Sequence, residues 1–132
     1  HPAHLTRIVE ETGIVPAVNQ VELHPRLPQT ALRAFDAAQG VVTQSWSPLA
    51  RGGLIADPLL ARLAAKHGRS PAQIVLRWHV QLGLSVIPKS VTPARIVENL
   101  DVFDFTLDES DLAAVASLET GERTGVDPND RN

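Results

Sequence analysis

Two hydrophobic periods take turns along this chain, one near 3.6 residues and one near two. Leu5, Ile8, Val9 and Thr12 recur at helical spacing, and Gly13 ends the run. From Val15 to Leu23 the pattern tightens to alternation, which predicts a strand, and Pro25 and Pro28 break it. Gln29 to Gln39 returns to helical spacing, with Leu32 and Phe35 inward and Gly40 as the stop. Val41-Val42-Thr43-Gln44-Ser45-Trp46 predicts a second strand. Ser47 to Gly53, with a proline and a Gly-Gly pair, reads as a loop. Asp57 to Lys66 predicts a short helix stopped by His67-Gly68. Ser70-Pro71-Ala72-Gln73 is a capping box, and the helix it opens buries Ile74, Val75, Trp78 and Leu82 before Gly83. Leu84 to Ile87 predicts a third strand. Thr92 caps the next helix with Pro93 at its first position, and Asp108 opens a last helix over roughly residues 109–118. From Glu119 the chain turns polar and is expected to be irregular.

Strands that alternate with helices imply an α/β fold built from parallel units with right-handed crossovers. Three such strands do not close a barrel, since a (β/α)8 TIM barrel takes about 250 residues. The element order matches the last three β/α units of one, preceded by a helix. Residues 1–118 are therefore expected to form the C-terminal portion of a barrel, incomplete by itself, and residues 119–132 its tail. The opening His1-Pro2-Ala3-His4 reads as a helix already under way, which suggests a piece of a longer protein.

Composition narrows the function classes. A chain of 132 residues suits one domain, and 43% hydrophobic residues are enough for a core. A net charge of −3 argues against a general nucleic-acid or membrane surface. No apolar stretch approaches the roughly 20 residues of a membrane span, and the first residues do not form a signal peptide. With no cysteine there is neither a disulfide nor thiol chemistry, and a cytoplasmic setting fits.

Chemistry collects at the ends of the three strands, where β/α barrels place their sites. The third end is the richest: Ile87-Pro88-Lys89-Ser90-Val91-Thr92-Pro93-Ala94-Arg95-Ile96-Val97-Glu98-Asn99-Leu100. A strand end followed by a helix start offers free N–H groups and the positive end of the helix dipole to an anion. Lys89 and Arg95 add charge there, and Glu98 and Asn99 one turn on can meet a purine amino group. The plainer reading is a solvated Lys89 and an Arg95 paired with Glu98 on a helix surface. Trp46 at the second strand end offers a flat face to a planar ligand, or else is a core aromatic. Gln20 on the first strand is either a ligand group or a satisfied polar side chain inside the barrel. His24 reads as a structural strand-end residue, His79 as packing, and His67 as a cation at a helix C-terminus. His1 and His4 have the spacing of a metal pair but no third ligand, so no metal is expected.

These strings together resemble the aldo-keto reductases. Val18-Asn19-Gln20-Val21-Glu22-Leu23-His24-Pro25, the Trp46-Ser47-Pro48-Leu49 turn and residues 87–99 are similar to family signatures and are spaced as in the family. Asn99-Leu100-Asp101-Val102-Phe103-Asp104-Phe105, with Trp46, resembles the bacterial diketogluconate-reductase-like branch. The resemblance implies NADPH as cofactor and a small aldehyde or ketone as substrate. It places Gln20 on the nicotinamide carboxamide, Trp46 against the nicotinamide ring, and Ser47, Leu49, Arg51 and Gly52 along the pyrophosphate. Lys89, Ser90, Val91, Thr92, Arg95, Glu98 and Asn99 would hold the adenosine 2′-phosphate end. The family's proton donor is a tyrosine, set among a Lys, an Asp and a His from the first half of the barrel. This chain has no tyrosine, so no catalytic residue is assigned. The expected role is the cofactor half of a carbonyl reductase. The competing role is a non-catalytic half-barrel that binds a nucleotide or self-associates through open sheet edges. An unrelated phosphate-binding barrel is the third reading.

Overall fold

The first apolar stripe folds as α1 (Pro2–Thr12), with Pro2 in the first turn. Gly13 ends it at φ 71°, where its N–H reaches the Val9 carbonyl. The coordinates are a computed structural model and describe residues 1–130. After α1 come β1 (Val18–Glu22), α2 (Thr30–Ala38), β2 (Val42–Trp46), α3 (Pro58–His67) and α4 (Pro71–Gln81). Then follow β3 (Ser85–Val86), α5 (Pro93–Leu100) and α6 (Glu109–Ala116), with 3-10 turns at Ala50–Gly52 and Pro128–Asp130.

The strands form one parallel sheet in the order β1-β2-β3. It is an open portion of a TIM barrel, with six α-helices among the described residues. Odd-numbered positions of β1 and β2 face the helices. Asn19 and Thr43 both donate to the buried Asp36 carboxylate of α2, and Val21 packs on the core. Even-numbered positions face the other way. There Gln20 Nε2 donates to Gln44 Oε1 at 2.7 Å, and Gln44 Nε2 to Ser85 Oγ at 3.0 Å. This polar row crosses all three strands in register. Val18 and Val42 lie on the same face and are nearly half exposed, because no further strands close over them.

The core lies among α3, α4, α6 and the loop after β2. Leu60 and Leu63 of α3, Ile74, Val75 and Trp78 of α4, and Val115 of α6 pack with Ala50 and Leu54 of that loop. Burying each large side chain contributes about 1.5–3 kcal/mol, so the loop is anchored by its own apolar residues. The expected capping box forms, Ser70 with Gln73 on α4, and a second one joins Asp108 with Asp111 on α6.

Several expectations shift. β3 is two residues long, because it has β2 as its one pairing partner, although Ile87 N–H still bonds Ser45 O at 3.2 Å. Phe35 is half-buried and Ile8 is exposed, since α1 and α2 lie at the open margin. Thr92 occupies the N-cap of α5 but its side chain makes no cap hydrogen bond; Ser90 Oγ instead accepts the Thr92 N–H at 3.2 Å. Residues 119–130 hold neither strand nor α-helix, yet they are docked. The N–H groups of Thr120 and Gly121 bond Arg26 O at 3.1 and 2.9 Å, and Asp127 meets His1 at 2.7 Å.

Candidate functional site

Two loops and one helix converge at the strand ends. Ser47, Leu49, Arg51 and Gly52 come from the loop after β2. Lys89, Ser90, Val91 and Thr92 come from the loop after β3, and Arg95, Glu98 and Asn99 from α5. All eleven line one cleft of about 480 Å³, with Ser70, Pro71 and Ala72 at the start of α4 forming its other wall. Nothing in the apolar pattern of α4 marked that wall; its signal was the capping box, whose first residue faces both its own helix and the cleft.

The cleft is electropositive. Among the described residues, Arg51, Lys89 and Arg95 form no ion pair, so their charge is available to an anion. Glu98 is not paired with Arg95, because its carboxylate accepts the Ser70 hydroxyl. The first turn of α5 carries no side-chain cap, which leaves its N–H groups facing the same region. The loop after β2 is strained: Ser47, Ala50 and Arg51 have φ of 50°, 48° and 54°. Such conformations cost roughly 1–3 kcal/mol each and cluster at functional sites.

α5 has no fully buried residue and is held by polar ties. Gln73 Nε2 donates to Glu98 O at 3.2 Å and to Asp101 O at 2.8 Å, capping the helix end. Arg69 bonds Asp101 and Asp104 while its guanidinium lies 5.2 Å over the Phe105 ring.

Gln20 and Trp46 stand apart from the cleft. Gln20 is engaged in the polar row on the sheet face. Trp46 lines a neighbouring chamber of about 700 Å³ with Thr124, Gly125, Val126 and Pro128 of the tail. Arg51 lines both spaces and joins them.

Beneath the chamber lies a buried carboxylate that sequence reasoning missed. Glu22 Oε1 accepts the Thr124 N–H at 2.6 Å, the Thr124 hydroxyl, and His24 Nε2 at 3.2 Å. Glu22 Oε2 accepts the Gly125 N–H at 3.1 Å. Burial pushes the Glu22 pKa up, but the bonds from Thr124, Gly125 and His24 outweigh it, and the net shift is downward. His24 is fully buried, and burial lowers its pKa despite the neighbouring Glu22. The carboxylate calls for the proton on Nε2, so Nδ1 is a lone pair; it has no hydrogen-bond partner among the described residues.

His79 bridges α4 to the strand end, Nδ1 to Val75 O at 2.8 Å and Nε2 to Leu23 O at 3.2 Å. Burial drops its pKa to about 4, so at neutral pH the ring carries one N–H and can donate to only one of the two carbonyls; the shorter contact favours Nδ1. His67 pairs with Asp111 of α6 at 2.8 Å rather than with its own helix end. Among the described residues, no group of three His, Asp or Glu is placed to hold a metal, and no helix is long and apolar enough to cross a membrane.

The fold and site thus define a portion of a TIM barrel with an anion-ready cleft at its strand ends. The chain belongs to the aldo/keto reductase family, whose model matches residues 1–120. It is 59% identical over 127 residues to an aldo-keto reductase of Mycolicibacterium smegmatis, covering 96% of this chain and 46% of the relative. It is 52% identical over 127 residues to the methylglyoxal reductase DkgA of Escherichia coli K12, again 46% of that protein and 95% of this one. A Gox0644 variant solved in complex with NADPH superposes with a TM-score of 0.95 at 48% identity, covering all of this chain and 49% of that one. The chain spans about half the length of the curated relatives it matches, and it corresponds to their C-terminal half.

Proposed function

We propose that this chain supplies the NADPH-binding half of a reductase that converts small aldehydes and ketones to alcohols. The observation that carries the reading is the convergence of Arg51, Lys89 and Arg95 on one cleft, with no ion-pair partner among the described residues. The residues fit the cofactor. A dinucleotide with a 2′-phosphate needs concentrated positive charge at one end, open backbone N–H groups, and a flat apolar face at the other end. Lys89, Arg95 and the start of α5 take the 2′-phosphate, with Ser90, Val91 and Thr92 shaping the loop around it. Glu98 and Asn99 take the adenine. Ser47, Leu49, Arg51 and Gly52 follow the pyrophosphate, and Trp46 and Gln20 lie toward the nicotinamide.

NADPH, when bound, supplies a hydride to the carbonyl carbon. The chain's own residues bind and orient: the cations neutralise phosphate charge, and the anchored loop after β2 keeps Arg51 in place. The proton donor that the family resemblance implies is a tyrosine, which the chain lacks, so we assign the proton for the carbonyl oxygen to a group beyond these residues. Turnover therefore depends on a group from outside these residues, and the isolated chain is expected to bind cofactor without reducing a carbonyl.

Calorimetric titration of the 132-residue chain with NADPH and with NADH tests this. Tighter binding of NADPH supports the assignment, and equal affinity for both cofactors counts against it. A second reading, pairing with another copy, draws on the open even-numbered face with its exposed Val18 and Val42. Sedimentation of the same sample distinguishes it, because only this reading expects a concentration-dependent dimer.

A further inference from the structure

α5 brings Arg95, Glu98 and Asn99 to the cleft, yet none of its residues is fully buried. A helix of eight residues is marginal in water by itself, so the bonds that reach it decide where it sits. Those bonds gather at one end. Ser70 and Gln73 hold Glu98 and Asp101, and Arg69 adds Asp101 and Asp104 just beyond the helix. The other end differs: residues 92–97 are all exposed, and among the described residues no side-chain hydrogen bond joins them to another helix or strand. Arg95 sits in that untied half, about one turn before Glu98. Its approach to the cleft is therefore set from the far end of the helix.

Gln73 is the central tie. It is 5% exposed and does not line the cleft. Its Oε1 accepts the Ser70 N–H at 2.9 Å, which completes the cap of α4. Its Nε2 spends both N–H groups on α5, at 3.2 Å from Glu98 O and 2.8 Å from Asp101 O. Turning the amide over would set an oxygen against two carbonyls in a buried place, so its orientation is fixed.

We propose that Gln73 is a positioning residue for the cofactor: by clamping the last turn of α5 it aims Arg95 into the cleft and so sets the preference for a 2′-phosphate. This rests on the NADPH reading given above. Gln73 touches no ligand and acts through the helix. The coupling runs both ways: a phosphate held by Arg95 and the clamp at Asp101 O favour the same placement of α5, so occupying one steadies the other.

Gln73→Glu separates the clamp from the cap. The carboxylate still accepts the Ser70 N–H, but it turns an acceptor toward the Glu98 and Asp101 carbonyls. In the 132-residue chain the Asp101 amide, which bonds Val97 O and Glu98 O, should exchange at least about tenfold faster. The Leu82 amide at the end of α4, bonded to Trp78 O, should be unchanged. Calorimetry should show NADPH about tenfold weaker and NADH less than about threefold weaker. In the native chain, saturating NADPH should slow exchange at Asp101 by about threefold or more. Asp101→Ala, which removes the Arg69 bond at an exposed side chain and keeps the carbonyl, should give the same pattern more weakly. It decides the matter if Gln73→Glu does not fold.

Unchanged exchange at Asp101 in the variants overturns the clamp. Faster exchange with equal losses of NADPH and NADH makes Gln73 a structural residue only and overturns the positioning role. A native chain that binds neither cofactor, or both equally, overturns the NADPH reading, and the proposal with it.

Discussion

Ser70, the N-cap of α4, donates its hydroxyl to Glu98 of α5. The helix that frames the candidate phosphate cradle is thus fixed by the residue that starts the helix before it. Gln73, the other member of that capping box, closes the far end of α5 through Asp101 O. One capping motif serves two helices, and it removes Glu98 from the reach of Arg95.

Ser70→Ala should therefore cost more than an ordinary cap. Losing the cap alone costs about 1 kcal/mol, and freeing Glu98 adds a similar amount. Urea denaturation should show a loss near 2 kcal/mol, with a modest fall in NADPH affinity. A loss confined to the cap value would mean that the Glu98 contact contributes nothing in solution.

Lys89→Ala and Arg95→Ala should each weaken NADPH about tenfold or more, in line with a lost charge-assisted hydrogen bond of about 1.5–3 kcal/mol. NADH, which lacks the 2′-phosphate, should change by less than about threefold. Titration of both variants with both cofactors decides it. Parallel losses would place the two cations on a phosphate common to the two cofactors.

Gly125→Ala should release the tail without touching a charge. The added methyl meets the Trp46 ring at a separation that real contacts do not reach, so the backbone must lift. The expected readout is stronger acrylamide quenching of Trp46 and tryptic cleavage after Arg123, which neighbours the Thr124 bond to Glu22. Unchanged quenching would show that the tail stays seated on Trp46 despite the added methyl.

Acid should destabilise the fold through His79. Its folded pKa of about 4 lies below the unfolded value near 6.5, because burial disfavours the imidazolium. The unfolded chain takes up this proton first as pH falls. The stabilising difference is complete above pH 6.5 and is lost as pH drops toward 4, on the order of 3 kcal/mol in all. His24, also lowered by burial, acts in the same direction. Urea unfolding between pH 7.5 and 4 should show the decline, and His79→Gln should flatten it. A flat profile for the native chain would mean that the ring is already charged in the fold.

Much of the architecture is legible without coordinates because its signals are local. Ser70-Pro71-Ala72-Gln73 and Asp108 start helices through bonds three residues long, and Gly13 and Gly68 stop them by taking a left-handed φ. The residues from Lys89 to Asn99 share a cleft because a loop and the helix after it are continuous in the chain. Strand extents were harder to read, since β3 is limited by its partner rather than by its own apolar residues.

The amino-acid sequence by itself determined the order of the elements, the parallel α/β class and the run of cations at the third strand end. Each of those depends on neighbours within one or two turns. Tertiary structure alone decided that Glu98 turns to Ser70, that Gln20 joins a polar row with Gln44, and that the polar tail returns to Glu22. Thr124 and Glu22 are separated by 102 residues. No local period encodes such a contact. It exists because folding buries a carboxylate at a strand end, and two backbone N–H groups of the tail are positioned to satisfy it.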